Sequence, residues 1–130
     1  MPSGPVDFLK IDVQGAELIV LQHAPNTLAN TSVVHCEVEF VALYEGQPLF
    51  SDVQRYLASH DFEFVDFVDL ARRHYLVSSG KSAPDRLLWA DAIFFRRSEH
   101  PATLISQALI AASIYSKPTL AEHLITRAMS

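Results

Sequence analysis

The residues of this chain that could do chemistry are mostly carboxylates. Asp12 closes a short apolar run, Glu17 stands five positions on, and Glu37 and Glu39 alternate with apolar side chains in a second run. Period-two alternation puts His35, Glu37 and Glu39 on one side of a strand. Such a trio could begin a metal site, but no fourth ligand stands at a recognisable spacing, and no metal is expected. The plainer alternative is that the three face solvent or pair with basic neighbours. Lys10 either pairs with a carboxylate across a sheet or lines a site. Tyr44 follows the second run and suits either a pocket wall or packing. The single cysteine, Cys36, lies among apolar residues. It reads as a reduced, buried and inert thiol, which suits the cytoplasm. Gly80-Lys81-Ser82 imitates the end of a phosphate-binding loop, but Tyr75 stands where the first glycine is required. Ala83-Pro84 then replaces the helix start that would hold phosphate, which excludes nucleotide hydrolysis.

The elements that must position these residues follow from periodicity. Val6 to Val13 is short, β-branched and apolar, and predicts a strand ended by Gly15. Ala16 to Ala24 predicts a short helix limited by Pro25. Ser32 to Phe40 predicts a second strand with Val34, Cys36, Val38 and Phe40 on the face opposite His35. Ser51 and Gln54 resemble a capping box for a helix running to about His60. Phe62 to Val68 predicts a third strand, Asp69 to Arg86 a long loop, and Ala90 to Arg96 a fourth strand. Pro101 and Pro118 suit the first turns of two helices. Leu104, Ile105, Ala108, Leu109 and Ala112 form one apolar face, and Leu120, Leu124, Ile125 and Ala128 another.

Strands alternating with helices imply an α/β fold with right-handed crossovers and a parallel sheet. The last step, strand to strand, admits one antiparallel strand. Ligands of such sheets sit beyond the carboxyl ends of the strands, which brings Asp12, Glu37 and Glu39 near any site. Glu17, in the first turn of a helix, is favoured there by the helix dipole alone. Gly15 reads as a backbone requirement at the turn.

The bulk numbers narrow the class. The 130 residues are 49% hydrophobic and 19% charged, enough for one real core and unlike a disordered chain. A net charge of −5 and dispersed basic residues argue against nucleic-acid binding. The N-terminus has neither the basic start nor the apolar core of a signal peptide, and no apolar run approaches the roughly 20 residues of a membrane span, so no membrane is expected as a partner.

The run Asp7-Phe-Leu-Lys-Ile-Asp-Val-Gln-Gly-Ala-Glu17 resembles the Lys-Ile-Asp-Val-Glu-Gly-x-Glu signature of FkbM-type S-adenosylmethionine-dependent methyltransferases, with Gln14 in place of the usual Glu. His35-Cys-Glu-Val-Glu39, then a loop, a helix and a strand rich in Phe and Val, extends the resemblance from Val6 to Arg97. The resemblance implies a partial Rossmann-like methyltransferase sheet: the last four strands, mostly parallel with one antiparallel, plus two C-terminal helices. It divides the chain into residues 1–97, the C-terminal portion of a methyltransferase domain, and 98–130, a helical extension. It implies S-adenosylmethionine as cofactor and a glycan or other hydroxylated small molecule as acceptor, methylated on oxygen. Asp12 is then the first candidate for catalysis and for cofactor binding, and Glu37 the second for catalysis. Lys10, Glu17, Glu39 and Tyr44 are candidates for substrate binding. The four glycines, at 4, 15, 46 and 80, include no pair close enough for the family's cofactor loop. The expectation is a half-domain, inactive alone, completed by an N-terminal partner or by a second copy in a homodimer.

Overall fold

The computed structural model describes residues 4–130. Four strands form one sheet: β1 (Val6–Ile11), β2 (Thr31–Glu39), β3 (Phe62–Arg73) and β4 (Arg86–Arg96). Five helices flank it: α1 (Glu17–Gln22), α2 (Pro25–Ala29), α3 (Phe50–Ala58), α4 (Pro101–Ser113) and α5 (Pro118–Ala128). The spatial order is β1-β2-β4-β3. β1 and β2 are parallel, while β4 runs antiparallel to both β2 and β3. Three strands therefore point one way, and the last in sequence is inserted between the second and third. The expected partial sheet with a single antiparallel strand is what the chain forms.

The two sheet faces carry separate cores. Alternation sends Val34, Cys36 and Val38 of β2 and Ala92 and Phe94 of β4 to one face, where Leu21, Leu28, Val53 and Leu57 of α1–α3 cover them. Val33 and Phe95 point to the other face, against Leu104, Ala108, Ala111 and Leu124 of α4 and α5. β2 is thus buried on both sides, as a central strand between helical layers must be. That corrects the reading of His35, Glu37 and Glu39 as a solvent face: His35 and Glu39 are each 8% exposed.

Several boundaries move. β1 stops at Ile11, and the helix expected over Ala16–Ala24 ends at Gln22. Pro25 occupies the first turn of a separate helix, α2, rather than only ending α1. α3 begins one residue before Ser51. Its cap is Leu49, whose backbone N–H donates to Asp52 Oδ2 at 2.9 Å, in place of the Ser51–Gln54 box. The expected long loop Asp69–Arg86 is shorter at both ends, with strand over its first five residues and its last. β3 runs to Arg73 and β4 starts at Arg86, so the two form a hairpin whose turn spans only 74–85. α4 is rotated from its expected face. Ile105 and Leu109 are exposed, and Gln107 takes a buried place because its amide donates to Ser32 O and Arg96 O. In α5 the buried residue is Leu124, with Ile125 turned outward. Among the described residues no helix is long and apolar enough to cross a membrane.

Candidate functional site

The carboxyl ends of β1 and β2 lie side by side, since the parallel register sets Ile11 against Cys36. The next residue after β1 is Asp12, and the last residues of β2 bring Glu37 and Glu39 to the same edge. Carboxylate oxygens of Asp12, Glu17 and Glu37 lie within 4.8 Å of one another. The topology thus gathers residues separated by 25 positions in the chain.

Each carboxylate has a distinct environment. Asp12 is exposed. Glu17 is 2% exposed and turned inward. Its two oxygens accept the backbone N–H groups of Val13, at 2.8 Å, and Gly15, at 2.9 Å. Those bonds hold a turn in which Gln14 and Gly15 both have positive φ, 54° and 96°. Glu17 is therefore the internal support of the loop that presents Asp12. Glu37 is partly buried, and its Oε2 is shut from solvent without a hydrogen-bond partner. Burial first, then the adjoining carboxyl of Asp12 and the charges of Glu39 and Glu17, push Glu37 up to about 7. Burial and the Glu17 charge push Glu39 to about 7 as well, against a hydrogen bond from Gln47. Like charges taken out of water oppose ionisation, so both groups titrate near neutrality.

The loop after β2 closes onto the first loop. Tyr44 is half-exposed, and its hydroxyl donates to Gly15 O at 3.3 Å. Gln47, 6% exposed, accepts the Leu43 N–H at 2.6 Å. A Cβ on Gly15 would stand 3.1 Å from Gln47 Nε2. Glycine is required here both by backbone angle and by this close approach. Gln47 was not singled out by its sequence context; only its contact with Gly15 and Glu39 marks it. Lys10 lies in register with His35, is exposed, and forms no ion pair among the described residues.

His35, two residues below Glu37 on the same side of β2, belongs to a different cluster. Its Nδ1 lies 2.7 Å from the Tyr115 hydroxyl and its Nε2 3.1 Å from Asp91 Oδ2. Phe8 and Tyr115 pack against the ring. The Nδ1 contact ties the α4–α5 junction to the sheet, while Nε2 is buried beside the Asp91 carboxylate without a well-aligned hydrogen bond, and the ring turns away from the carboxylate site. Cys36 is fully buried, and burial drives its thiol far above the ordinary value, so it is inert.

The model of the methyltransferase FkbM domain matches residues 3–64, a stretch that contains Lys10, Asp12, Glu17, Glu37, Glu39 and Tyr44. No curated protein and no solved structure matches the chain.

Proposed function

We propose, from the match of residues 3–64 to the methyltransferase FkbM domain, that this chain forms the acceptor side of an S-adenosylmethionine-dependent O-methyltransferase acting on a glycan or other hydroxylated small molecule. The observation that carries the reading is the gathering of Asp12, Glu17 and Glu37 within 4.8 Å at the strand ends, with Glu37 and the nearby Glu39 both titrating near 7. A proton acceptor is most effective when its pKa lies near the working pH, and burial among like charges is how a carboxylate is brought there.

The donor set suits the cofactor's positively charged end. A sulfonium and an ammonium group are complementary to a cluster of carboxylates in which Glu37 Oε2 lacks a partner. When bound, the cofactor supplies an activated methyl group. Asp12 would hold its cationic end, and Glu37 would take the proton released by the acceptor hydroxyl. Glu17 would keep the Asp12 loop in place through its two backbone bonds. Tyr44, Lys10 and Glu39 would orient the acceptor. A glycine-rich cofactor loop would come from another segment. The outer edge of β1, which has no strand paired to it among the described residues, is where a half-domain partner or a second copy would add its strand. A cytoplasmic setting accords with the buried, reduced Cys36.

Calorimetric titration of the folded chain with S-adenosylmethionine and with its demethylated product tests this reading. Micromolar binding that Asp12→Ala abolishes would place Asp12 at the cofactor, and binding that Asp12→Ala leaves unchanged removes it from that site. A folded chain that binds neither compound is a half-site, and the same titration is then made with the segment that carries the glycine loop added.

A further inference from the structure

The β3–β4 hairpin carries a feature that the carboxylate site does not use. β3 runs parallel to β1 and β2, so its far end, Arg73, emerges at the same sheet edge as Asp12 and Glu39. Register sets Trp89 against both Glu39 and Ala71, and β3 and β4 continue past that point to the Arg73–Arg86 pair. The arm therefore stands out about 10 Å beyond the sheet before its turn begins. The apex is closed by local bonds: the Gly80 N–H donates to Val77 O at 3.1 Å, and the His74 ring meets the Ser82 hydroxyl at 2.7 Å.

This arm is apolar and cationic where it is most exposed. Leu76 is fully exposed, and Tyr75 and Val77 are about half-exposed. Leu70 and Trp89 continue the exposed apolar surface down the arm. Arg72, Arg73, Lys81 and Arg86 surround the apex, and none of them forms an ion pair among the described residues. The Arg73 guanidinium sits 5.3 Å from the centre of the Tyr75 ring. Between Leu70 and Arg86 the only acid is Asp85, while the whole chain carries −5. Positive charge is thus concentrated on one projection of an acidic protein.

We propose that this hairpin tip docks on an anionic phospholipid surface. Leu76 and Val77 enter the boundary between headgroups and acyl chains, and Arg72, Arg73, Lys81 and Arg86 meet the lipid phosphates. The shape selects this occupant. A convex apolar apex needs a concave pocket in a protein partner, whereas a lipid interface yields around it. A soluble anion would engage the cations and leave Leu76 in water. An aliphatic tip, a flanking tyrosine and a ring of long basic side chains match the layers of a bilayer interface in order of depth. This departs from the expectation of no membrane partner, which rested on the lack of a long apolar run, and a peripheral contact of this size needs none.

Co-sedimentation of the full chain with vesicles of phosphatidylcholine plus phosphatidylserine, against phosphatidylcholine alone, tests the proposal. Binding is expected only to the anionic vesicles and should weaken as salt is raised. Each basic residue near the surface adds about fivefold to partitioning, so Arg72→Ala with Arg73→Ala should lower binding by roughly 25-fold. Leu76→Ser should lower it by about tenfold. These positions are exposed, and unchanged circular dichroism would show that the fold is kept. Absence of binding to anionic vesicles overturns the proposal. So does binding that ignores Leu76→Ser, or that soluble glycerophosphoserine displaces at concentrations matching the lipid, since either outcome makes the tip a receptor for anions alone.

Discussion

His35 and Glu37 stand two residues apart on one side of the same strand, yet they belong to opposite kinds of polar cluster. Around His35, the Tyr115 hydroxyl bonds one ring nitrogen and the Asp91 carboxylate lies 3.1 Å from the other, too poorly aligned for a hydrogen bond, so the ring has neighbours of complementary kind. Around Glu37, three further carboxylates crowd together and one buried oxygen has no partner. Buried polar groups are ordinarily satisfied. The first cluster meets that rule at Nδ1, where the Tyr115 bond holds the α4–α5 junction to the sheet, and sets an acid rather than a like group beside Nε2. The second breaks it more severely, by crowding like charges, at the carboxyl edge of the sheet.

Removing one member from each cluster should separate the two. His35→Ala leaves Asp91 and the Tyr115 hydroxyl without their buried partner and opens a gap beside Phe8. A loss of about 3 kcal/mol is expected in urea denaturation. A loss under 1 kcal/mol would mean that the cluster is not a structural tie. Glu17→Ala orphans the N–H groups of Val13 and Gly15 and should cost about 2 kcal/mol. It also withdraws a charge that raises Glu39, so the Glu39 titration followed by NMR should move down at the same time. An unmoved Glu39 would show that Glu17 does not act on it through space.

The smallest effect concerns pH. Glu37 and Glu39 titrate near 7 in the fold and near 4.5 when exposed. Between those values the native state holds protons that the unfolded chain has released, so stability falls as pH rises from about 4.5 through 7, then levels off. Glu37→Gln should flatten that slope and raise stability at pH 8 by about 1 kcal/mol or less, given solvent screening. Thermal melts at pH 5 and pH 8 measure it, and an unchanged slope would remove Glu37 from the coupled group.

Much of this arrangement was legible from residue types. The alternation of strands and helices, the antiparallel last strand and the meeting of Asp12 with Glu37 and Glu39 follow from periodicity and from the carboxyl-end rule. What escaped has physical causes. The hairpin beyond Val68 is exposed on both faces, so it lacks the alternation that marks a half-buried strand. α4 has apolar residues on two faces, and the one chosen by tertiary packing includes Gln107, which hydrophobic patterning rejects. The inward turn of Glu17 depends on the positive φ angles of Gln14 and Gly15, which place two N–H groups within reach of its side chain. Only the glycine hinted at that geometry.

The insertion of β4 between β2 and β3 has a consequence in time. Among the described residues β3 pairs only with β4, and β2 meets β4 across about 60 residues of chain, as in the pairing of Val33 with Phe95. A chain emerging from the ribosome would therefore have β2 and β3 waiting on either side of a gap until Arg86 to Arg96 arrives to fill it. The sheet closes late and all at once, and until then its central strands are open to the wrong neighbours.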